Sequence, residues 1–249
     1  MRRILALACV IALFATARLA AANLAPVHSP EDLAAMATPT YLAAHPDLRW
    51  RNQGLDALAR GEPEAAVEHL KRAARYADKA AQALVAQQYW KGQGVQHDRA
   101  RGYVWMDLAA ERLYPGYLAL RERYWNQLSE AERERAQRIG PEVYAEFGDA
   151  AAKPRMEAEL RRHRGARTGS RTGADLGATA YFGNVPGTSM NGGAAAIPVR
   201  NLDDRRYWHP EAYWAWQDEA YQSLRAPKVR VLELKPRSER SQISEAPNR

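Results

Sequence analysis

Cysteine is almost absent from this chain of 249 residues, and the single one, Cys9, lies within the first ten positions. A disulfide or a cysteine-ligated zinc site needs more than one cysteine, so neither can stabilise the rest of the chain. No two of the six histidines stand three or four residues apart, which removes the spacing needed for zinc binding on a helix. The sequence therefore predicts a protein held together by packing alone, with no metal and no cofactor.

A hydrophobic run long enough to cross a membrane is also missing. The apolar stretch Ile4–Ala17 is about fourteen residues long, whereas a spanning helix needs about twenty. Arg2 and Arg3 precede it and small residues follow it, as in a secretory signal peptide. We expect a cleaved signal at residues 1–22 and a periplasmic or secreted product; an uncleaved inner-membrane anchor is the alternative.

Acidic residues are outnumbered, 29 against 36 Lys and Arg, and three of the arginines belong to the predicted signal. The basic excess is concentrated in residues 151–206, which are also rich in Gly, Ser and Thr and predict a flexible basic linker. Basic tracts bind phosphates. Because export disfavours nucleic acid, the electrostatic partner expected for this tract is a cell-wall polymer or an anionic lipid surface.

Frequent turn signals divide the middle of the chain into short segments. After a lead-in at residues 23–48, in which Ser29 begins a helix, the region at residues 49–150 predicts five or six helices of about ten to fifteen residues. Asp98 is the expected N-cap of one helix, and Ser129 with Glu132 forms the capping-box pattern of another.

Two helical segments of this region are near-copies of each other. Residues 83–90, ALVAQQYW, align with residues 118–125, LALRERYW, at a shift of 35. A period in the mid-thirties corresponds to two helices and two turns, the unit of an α-solenoid. Residues 80–112, which contain the motif YWKGQGVQHDRARGYVWMDLAA at 89–110, resemble the Sel1-like repeat, a relative of the tetratricopeptide repeat. The resemblance implies a short helical-hairpin solenoid at residues 49–150 and a scaffold or adaptor that binds other proteins.

Gly92 and Gly94 raise the question of a phosphate-binding loop. A dinucleotide loop needs a third glycine where this chain has His97, and a Walker loop needs a Gly-Lys-Ser/Thr sequence that is absent. Glycine readily enters the left-handed conformation that ends helices. We interpret the two glycines as a corner between helices.

No catalytic constellation emerges from the sequence. The loop at residues 183–193 contains Gly187, Ser189 and Gly192, but this spacing does not fit the Gly-x-Ser-x-Gly elbow of serine hydrolases. We therefore predict no enzymatic activity and no catalytic residue. The third alternative is a cryptic enzyme or a hydrolase accessory protein, which only this loop favours.

Aromatic residues supply the candidate binding positions. Trp90, Trp105 and Trp125 lie in the repeat region, where we expect inter-repeat core with some faces available to a partner. A second group, Trp208, Trp214 and Trp216, lies in an aromatic helix predicted at residues 207–226, before a disordered tail at 227–249.

The sequence thus predicts an all-α protein: a short solenoid, a flexible linker and an aromatic-rich C-terminal helix. The expected function is a non-enzymatic exported scaffold that binds a protein or peptide in the cell envelope. The alternative is a module that binds peptidoglycan or polysaccharide through the aromatic helix and the basic linker.

Overall fold

The computed structural model describes residues 26, 28–167, 202 and 204–222. All regular structure in these ranges is helical, which confirms the all-α class. The predicted signal at 1–22 and the tail at 227–249 lie outside the described residues. The helices are α1 (Pro30–Met36), α2 (Pro39–Ala44), α3 (Pro46–Arg60), α4 (Pro63–Ala74), α5 (Lys79–Lys91), α6 (Arg99–Ala109), α7 (Pro115–Gln127), α8 (Glu130–Phe147), α9 (Asp149–Arg167), α10 (Arg205–Trp208) and α11 (Pro210–Gln222), with a 3₁₀ turn at Ala110–Arg112. None of them is long and apolar enough to cross a membrane.

Side-chain caps define where several helices begin. The Asp98 carboxylate accepts the Arg101 N–H at 3.0 Å at the start of α6. At the start of α8, Ser129 and Glu132 form a reciprocal capping box, in which each side chain accepts the backbone N–H of the other. Each cap satisfies amides that have no partner within the helix. The predicted caps at both positions are present.

Glycines end two of the helices. Gly61 closes α3 with φ 78° and Gly92 closes α5 with φ 66°, both in the left-handed region. Gly94 follows with φ 69°, and the Asp98 N–H then donates to the Tyr89 carbonyl at 3.0 Å. The segment from Gly92 to Asp98 is therefore a corner between α5 and α6, as the sequence analysis predicts.

Helices α3 to α8 are the six elements of the region from 46 to 147. α3 packs extensively on α4 and α5 on α6, while α6 also contacts α7 and α8. Between them lies the larger apolar core, in which Leu70, Met106 and Leu108 are completely buried.

The linker prediction is wrong for residues 151–167, which belong to α9. Ala152, Met156 and Leu160 stand four residues apart and are completely buried on one side of this helix. Charged residues of both signs occupy most of the other positions of α9, so the narrow apolar stripe is hidden by an otherwise linker-like composition. Residues 168–201 and 203 lie outside the described residues.

The lead-in and the aromatic region share a second core. Tyr41 of α2 and Leu48 of α3 pack with Met156 and Leu160 of α9. The remaining members come from the two ends of the described chain: Ala35, Met36, Ala44, Tyr207, Trp208, Tyr213 and Trp216. The part of the predicted lead-in that the structure describes from residue 28 onward is thus an integral layer of the fold.

The aromatic helix predicted at 207–226 is divided in two. His209 adopts an extended conformation (φ −101°, ψ 123°) between α10 and α11. The following Pro210 explains the break, because a residue before proline is disfavoured in the helical region. Residues 223–226 lie outside the described residues.

Candidate functional site

A groove of about 350 Å³ lies between α4 and α8, with α5 and α6 beneath it. Its volume is at the lower end of the range found for ligand pockets, about 300–1,000 Å³. Each wall is one helix face with the spacing i, i+3, i+4, i+7. The walls consist of Glu68, Lys71, Arg72 and Arg75 on the α4 side, and Ile139, Glu142, Val143 and Glu146 on the α8 side.

Apolar side chains form the floor of the groove. Tyr89, Trp105, Val143 and Phe147 line it while remaining 2–9 % exposed. The Trp105 and Phe147 rings pack at 4.6 Å between centroids. Each of these side chains therefore offers a ligand only a small apolar surface, because the rest of it is packed in the core.

Two cations approach the same ring in this floor. The Lys71 Nζ lies 5.4 Å and the Arg101 guanidinium 5.6 Å from the Tyr89 ring centroid. Arg101 has a carboxylate oxygen of Asp98 at 3.7 Å, whereas no carboxylate among the described residues lies within ion-pair distance of Lys71. The groove therefore presents positive charge that its own walls neutralise only in part.

One end of the groove is closed by polar contacts. Arg75 pairs with Glu146 across the two walls. Arg155 of α9 donates to the backbone carbonyls of Arg75 at 3.3 Å and Glu146 at 2.6 Å. Glu68 and Ile139 lie two turns earlier on their helices, at the other end of the groove.

A buried ionic network connects α5 with α9. Lys79 is completely buried, and its ammonium group donates to the Leu108 carbonyl at 3.0 Å and the Glu111 carboxylate at 2.8 Å, and pairs with Asp149 at 3.0 Å. Burial lowers the pKa of Lys79, and the two carboxylates oppose this effect. Burial alone would raise the pKa of Asp149, but Arg112 and Lys79 outweigh it and hold that pKa below its ordinary value. The network joins α5, the 3₁₀ turn and α9.

Arg112 extends the network to the C-terminal helix. Its guanidinium binds Asp149 at 2.7 and 3.0 Å and lies 4.7 Å from the Trp214 ring centroid. The Tyr114 hydroxyl donates to Asp218 of α11. Arg112 and Tyr114 therefore anchor α11.

A second cavity, beside Asp47, Asp78 and Tyr213, is much smaller, about 10 Å³. That is room for about one water molecule. Arg51 pairs with Asp78 at 2.8 Å, and burial raises the pKa of Asp47 to about 6. A cavity of this size excludes a substrate, so we assign it to the packing of the second core.

The tryptophans of the repeat region occupy different environments. Trp105 is 2 % exposed under the groove floor. Trp90 is half-buried and stacks on Tyr124 at 3.9 Å, and Trp125 is half-buried against Tyr103 at 5.0 Å. Of these candidate binding residues, only Trp105 lines the groove.

The C-terminal tryptophans are mostly internal. Trp208 is 5 % and Trp216 8 % exposed, both within the second core. Trp214 is half-buried, with the Arg112 guanidinium and the Lys153 ammonium at 4.7 and 5.1 Å from its ring centroid. Stacking of a sugar on Trp208 or Trp216 is contradicted by this burial, because a stacking platform needs an open ring face.

Sequence reasoning missed most of the groove. Lys71, Arg101 and Val143 lie in three different helices, and no local pattern brings them together. The signal available in the sequence was the face of α4 on which charged residues recur every three or four positions. Such a face is ordinarily solvated, and only the position of α8 makes it the wall of a groove.

The ligand groups for a metal centre are not found among the described residues. They contain no group of three or more His, Cys, Asp or Glu that could hold a metal ion. The loop at 183–193, the one sequence feature in favour of an enzyme, lies outside them.

The chain matches no protein-family model, no curated protein and no solved structure.

Proposed function

We propose that this protein is a non-enzymatic exported scaffold that binds a protein or peptide in the groove between α4 and α8. The observation that carries the proposal is the groove itself, where an apolar floor lies under the partly neutralised cations Lys71 and Arg101. A site of this kind combines apolar burial with charge recognition, and peptide grooves use the same combination.

The chemistry of the groove favours a peptide with neighbouring apolar and acidic side chains. An apolar side chain would cover Tyr89 and Val143, which are 8 % and 7 % exposed. A carboxylate beside it would lie between Lys71 and Arg101. Because Arg75 and Glu146 close one end, the ligand would enter beside Glu68 and Ile139.

Equivalent burial in α5 and α7 supports the repeat interpretation. The two helices have the same length of 13 residues and end in the same Tyr-Trp pair. Tyr89 and Tyr124 are 8 % and 7 % exposed, whereas Trp90 and Trp125 are both half-buried. Together with the resemblance of residues 89–110 to the Sel1-like repeat, this favours a short solenoid, a fold that typically serves as an adaptor.

Binding of a cell-wall polymer through the C-terminal aromatics, the alternative, is not favoured by the geometry. Trp208 and Trp216 are engaged in the second core, and Trp214 is covered by Arg112 and Lys153. The positions proposed for sugar stacking are already used within the protein.

Peptide-array binding tests the proposal. We expect the chain without residues 1–22 to retain peptides in which Asp or Glu adjoins an aromatic or aliphatic residue. The double variant Lys71→Ala/Arg101→Ala should weaken the best of these peptides about tenfold, which is about 1.4 kcal/mol, as measured by fluorescence polarisation. Binding of the wild-type chain should also weaken with added salt.

Arg123→Ala supplies the matched control, because Arg123 is an exposed cation that does not line the groove. Its affinity for the same peptides should be unchanged. Equal losses in the control and in the double variant would show a nonspecific charge effect, and the absence of any retained peptide would contradict peptide binding.

A further inference from the structure

The segment at residues 204–222, here the C-terminal segment, is attached to the body of the protein largely through its aromatic side chains. The Tyr207 hydroxyl donates to Asp32 at 2.6 Å, and the Tyr213 hydroxyl donates to Asp47. The Trp214 indole donates to Glu157 at 3.1 Å. The acceptors belong to α1, α3 and α9, which with α2 form the receiving face.

Histidines are concentrated at this contact. Four of the six in the chain lie there: His28, His45, His163 and His209. His28 packs on Trp216 at 4.5 Å, and His45 lies 5.8 Å from Trp208 and 5.2 Å from Tyr213, between ring centroids.

The rings of His28 and His45 are buried in their neutral form. His45 is completely buried and stacks on Tyr41 at 3.6 Å. None of the four ring nitrogens of these two histidines is exposed or hydrogen-bonded. A proton added to His28 would therefore be a buried charge without a hydrogen-bond partner, and one added to His45 would have the Tyr207 backbone as its acceptor. Both are costly in an apolar environment.

The charged groups around each ring decide the sign of the pH effect. Burial is the largest effect on His28 and lowers the pKa of its ring to about 4. Arg51 and Arg206 also disfavour protonation of this ring, whereas Asp32 favours it. Burial also lowers the pKa of His45 to about 3, with His163 acting in the same direction and the Tyr207 backbone opposing. The remaining titratable neighbours of His45 are Tyr41, Asp47, Tyr207 and Tyr213.

We propose that the C-terminal segment is a detachable intramolecular ligand of the receiving face, and that acid releases it by protonating His28 and His45. The other two histidines lie away from this contact. At the larger core the one neighbouring histidine among the described residues is His69, which is half-buried and stacks on Trp50 at 5.6 Å between ring centroids, while His97 is exposed. Tyr221, which stacks on Tyr114 at 4.7 Å, attaches the segment to the larger core without a titrating imidazole.

The expected size follows from proton linkage. A histidine that has a pKa of 6.5 when released and of 3 or 4 when docked favours release about 30-fold at pH 5. Asp47 acts in the opposite direction, because its raised pKa of about 6 favours the docked state by about tenfold at pH 5. The two histidines, reduced by the opposing effect of Asp47, shift the equilibrium between the docked and released states about 100-fold toward release from pH 7.5 to pH 5. The docked state is thus fully stabilised above about pH 6.5 and loses this stabilisation as the pH falls.

Hydrogen exchange of the chain without residues 1–22 tests the proposal, after correction for the intrinsic pH dependence of amide exchange. Protection of residues 204–222 and 30–44 should fall about 100-fold from pH 7.5 to pH 5, while residues 79–109 remain protected. In the double variant His28→Phe/His45→Phe, which keeps the ring contacts but cannot titrate, the fall should disappear.

His97→Gln is the matched control, since this exposed histidine lies at the α5–α6 corner, and it should keep the wild-type profile. The single variants His28→Phe and His45→Phe should each retain part of the response, which keeps the test valid if the double variant does not fold. The proposal is overturned if residues 204–222 and 79–109 lose protection together, if neither changes, or if the histidine variants respond as the wild type does.

Discussion

Replacing Gly94 by alanine is expected to destabilise the protein by about 2–5 kcal/mol. Gly94 has a φ of 69°, a conformation that costs a residue with a Cβ about 1–2 kcal/mol. The added methyl group would also lie 2.2 Å from the Pro63 carbonyl oxygen and 2.7 Å from the Glu64 nitrogen. These are backbone atoms at the start of α4, so the collision is relieved only if the two corners move apart.

Urea or thermal unfolding measures this effect. For a chain of this size, each kcal/mol lowers Tm by about 2–4 °C, so the expected decrease is about 5–15 °C. Gly92 has a similar φ of 66°, but a Cβ added there would meet chiefly His97, which belongs to the same corner. Gly92→Ala should therefore lose less stability than Gly94→Ala. Gly140→Ala in α8 meets nothing within 4 Å, and its effect should stay within about 1 kcal/mol.

The critical result is the order in which the three glycine variants lose stability. If Gly94→Ala costs no more than Gly92→Ala, the close packing of the α5–α6 corner on the start of α4 is wrong. A loss of ligand binding without a loss of stability would instead revive the phosphate-loop interpretation.

Replacing Lys79 by methionine is expected to cost about 3–5 kcal/mol. Methionine preserves most of the apolar volume, so the change removes mainly the charge and its hydrogen bonds. Glu111 and the Leu108 carbonyl would lose their buried donor, while Asp149 would retain Arg112. Breaking a buried ion pair by removing one partner costs more than the pair itself contributes, because the other charge is left without compensation.

Denaturant unfolding of Lys79→Met gives this loss directly. The matched control is Arg138→Met, which removes a cation from an exposed pair with Glu134 at 3.8 Å and should have no measurable effect. The double variant Lys79→Met/Glu111→Gln should lose less stability than the sum of the two single variants, since Glu111→Gln removes a carboxylate that has lost its ammonium partner and keeps an acceptor for the Asp149 N–H. Strictly additive losses would contradict a direct interaction between Lys79 and Glu111.

Local features of the fold were predictable from the sequence. Gly92, Asp98 and Ser129 act within a few residues of themselves, through a left-handed turn or a side-chain bond to a nearby amide. Such interactions depend on the order of residues along the chain, so a local pattern is sufficient to find them.

The error at residues 151–167 has a physical cause. The stripe Ala152, Met156 and Leu160 is one residue wide and surrounded by charged residues of both signs, so composition suggested a solvated linker. What makes it a helix of the core is the surface it covers, formed by α2, α10 and α11. That surface is built by residues more than one hundred positions apart.

By itself, the sequence determined the all-α class, the corners and the caps, because these depend on backbone propensities and on contacts between near neighbours. Only the tertiary structure decided that the lead-in and the C-terminal aromatics share one core. It alone placed Lys71 and Arg101 over Tyr89 in a groove, and His28 and His45 against buried rings. Burial and charge at such places come from helices that meet in space after folding, and no local spacing in the chain specifies which faces will meet.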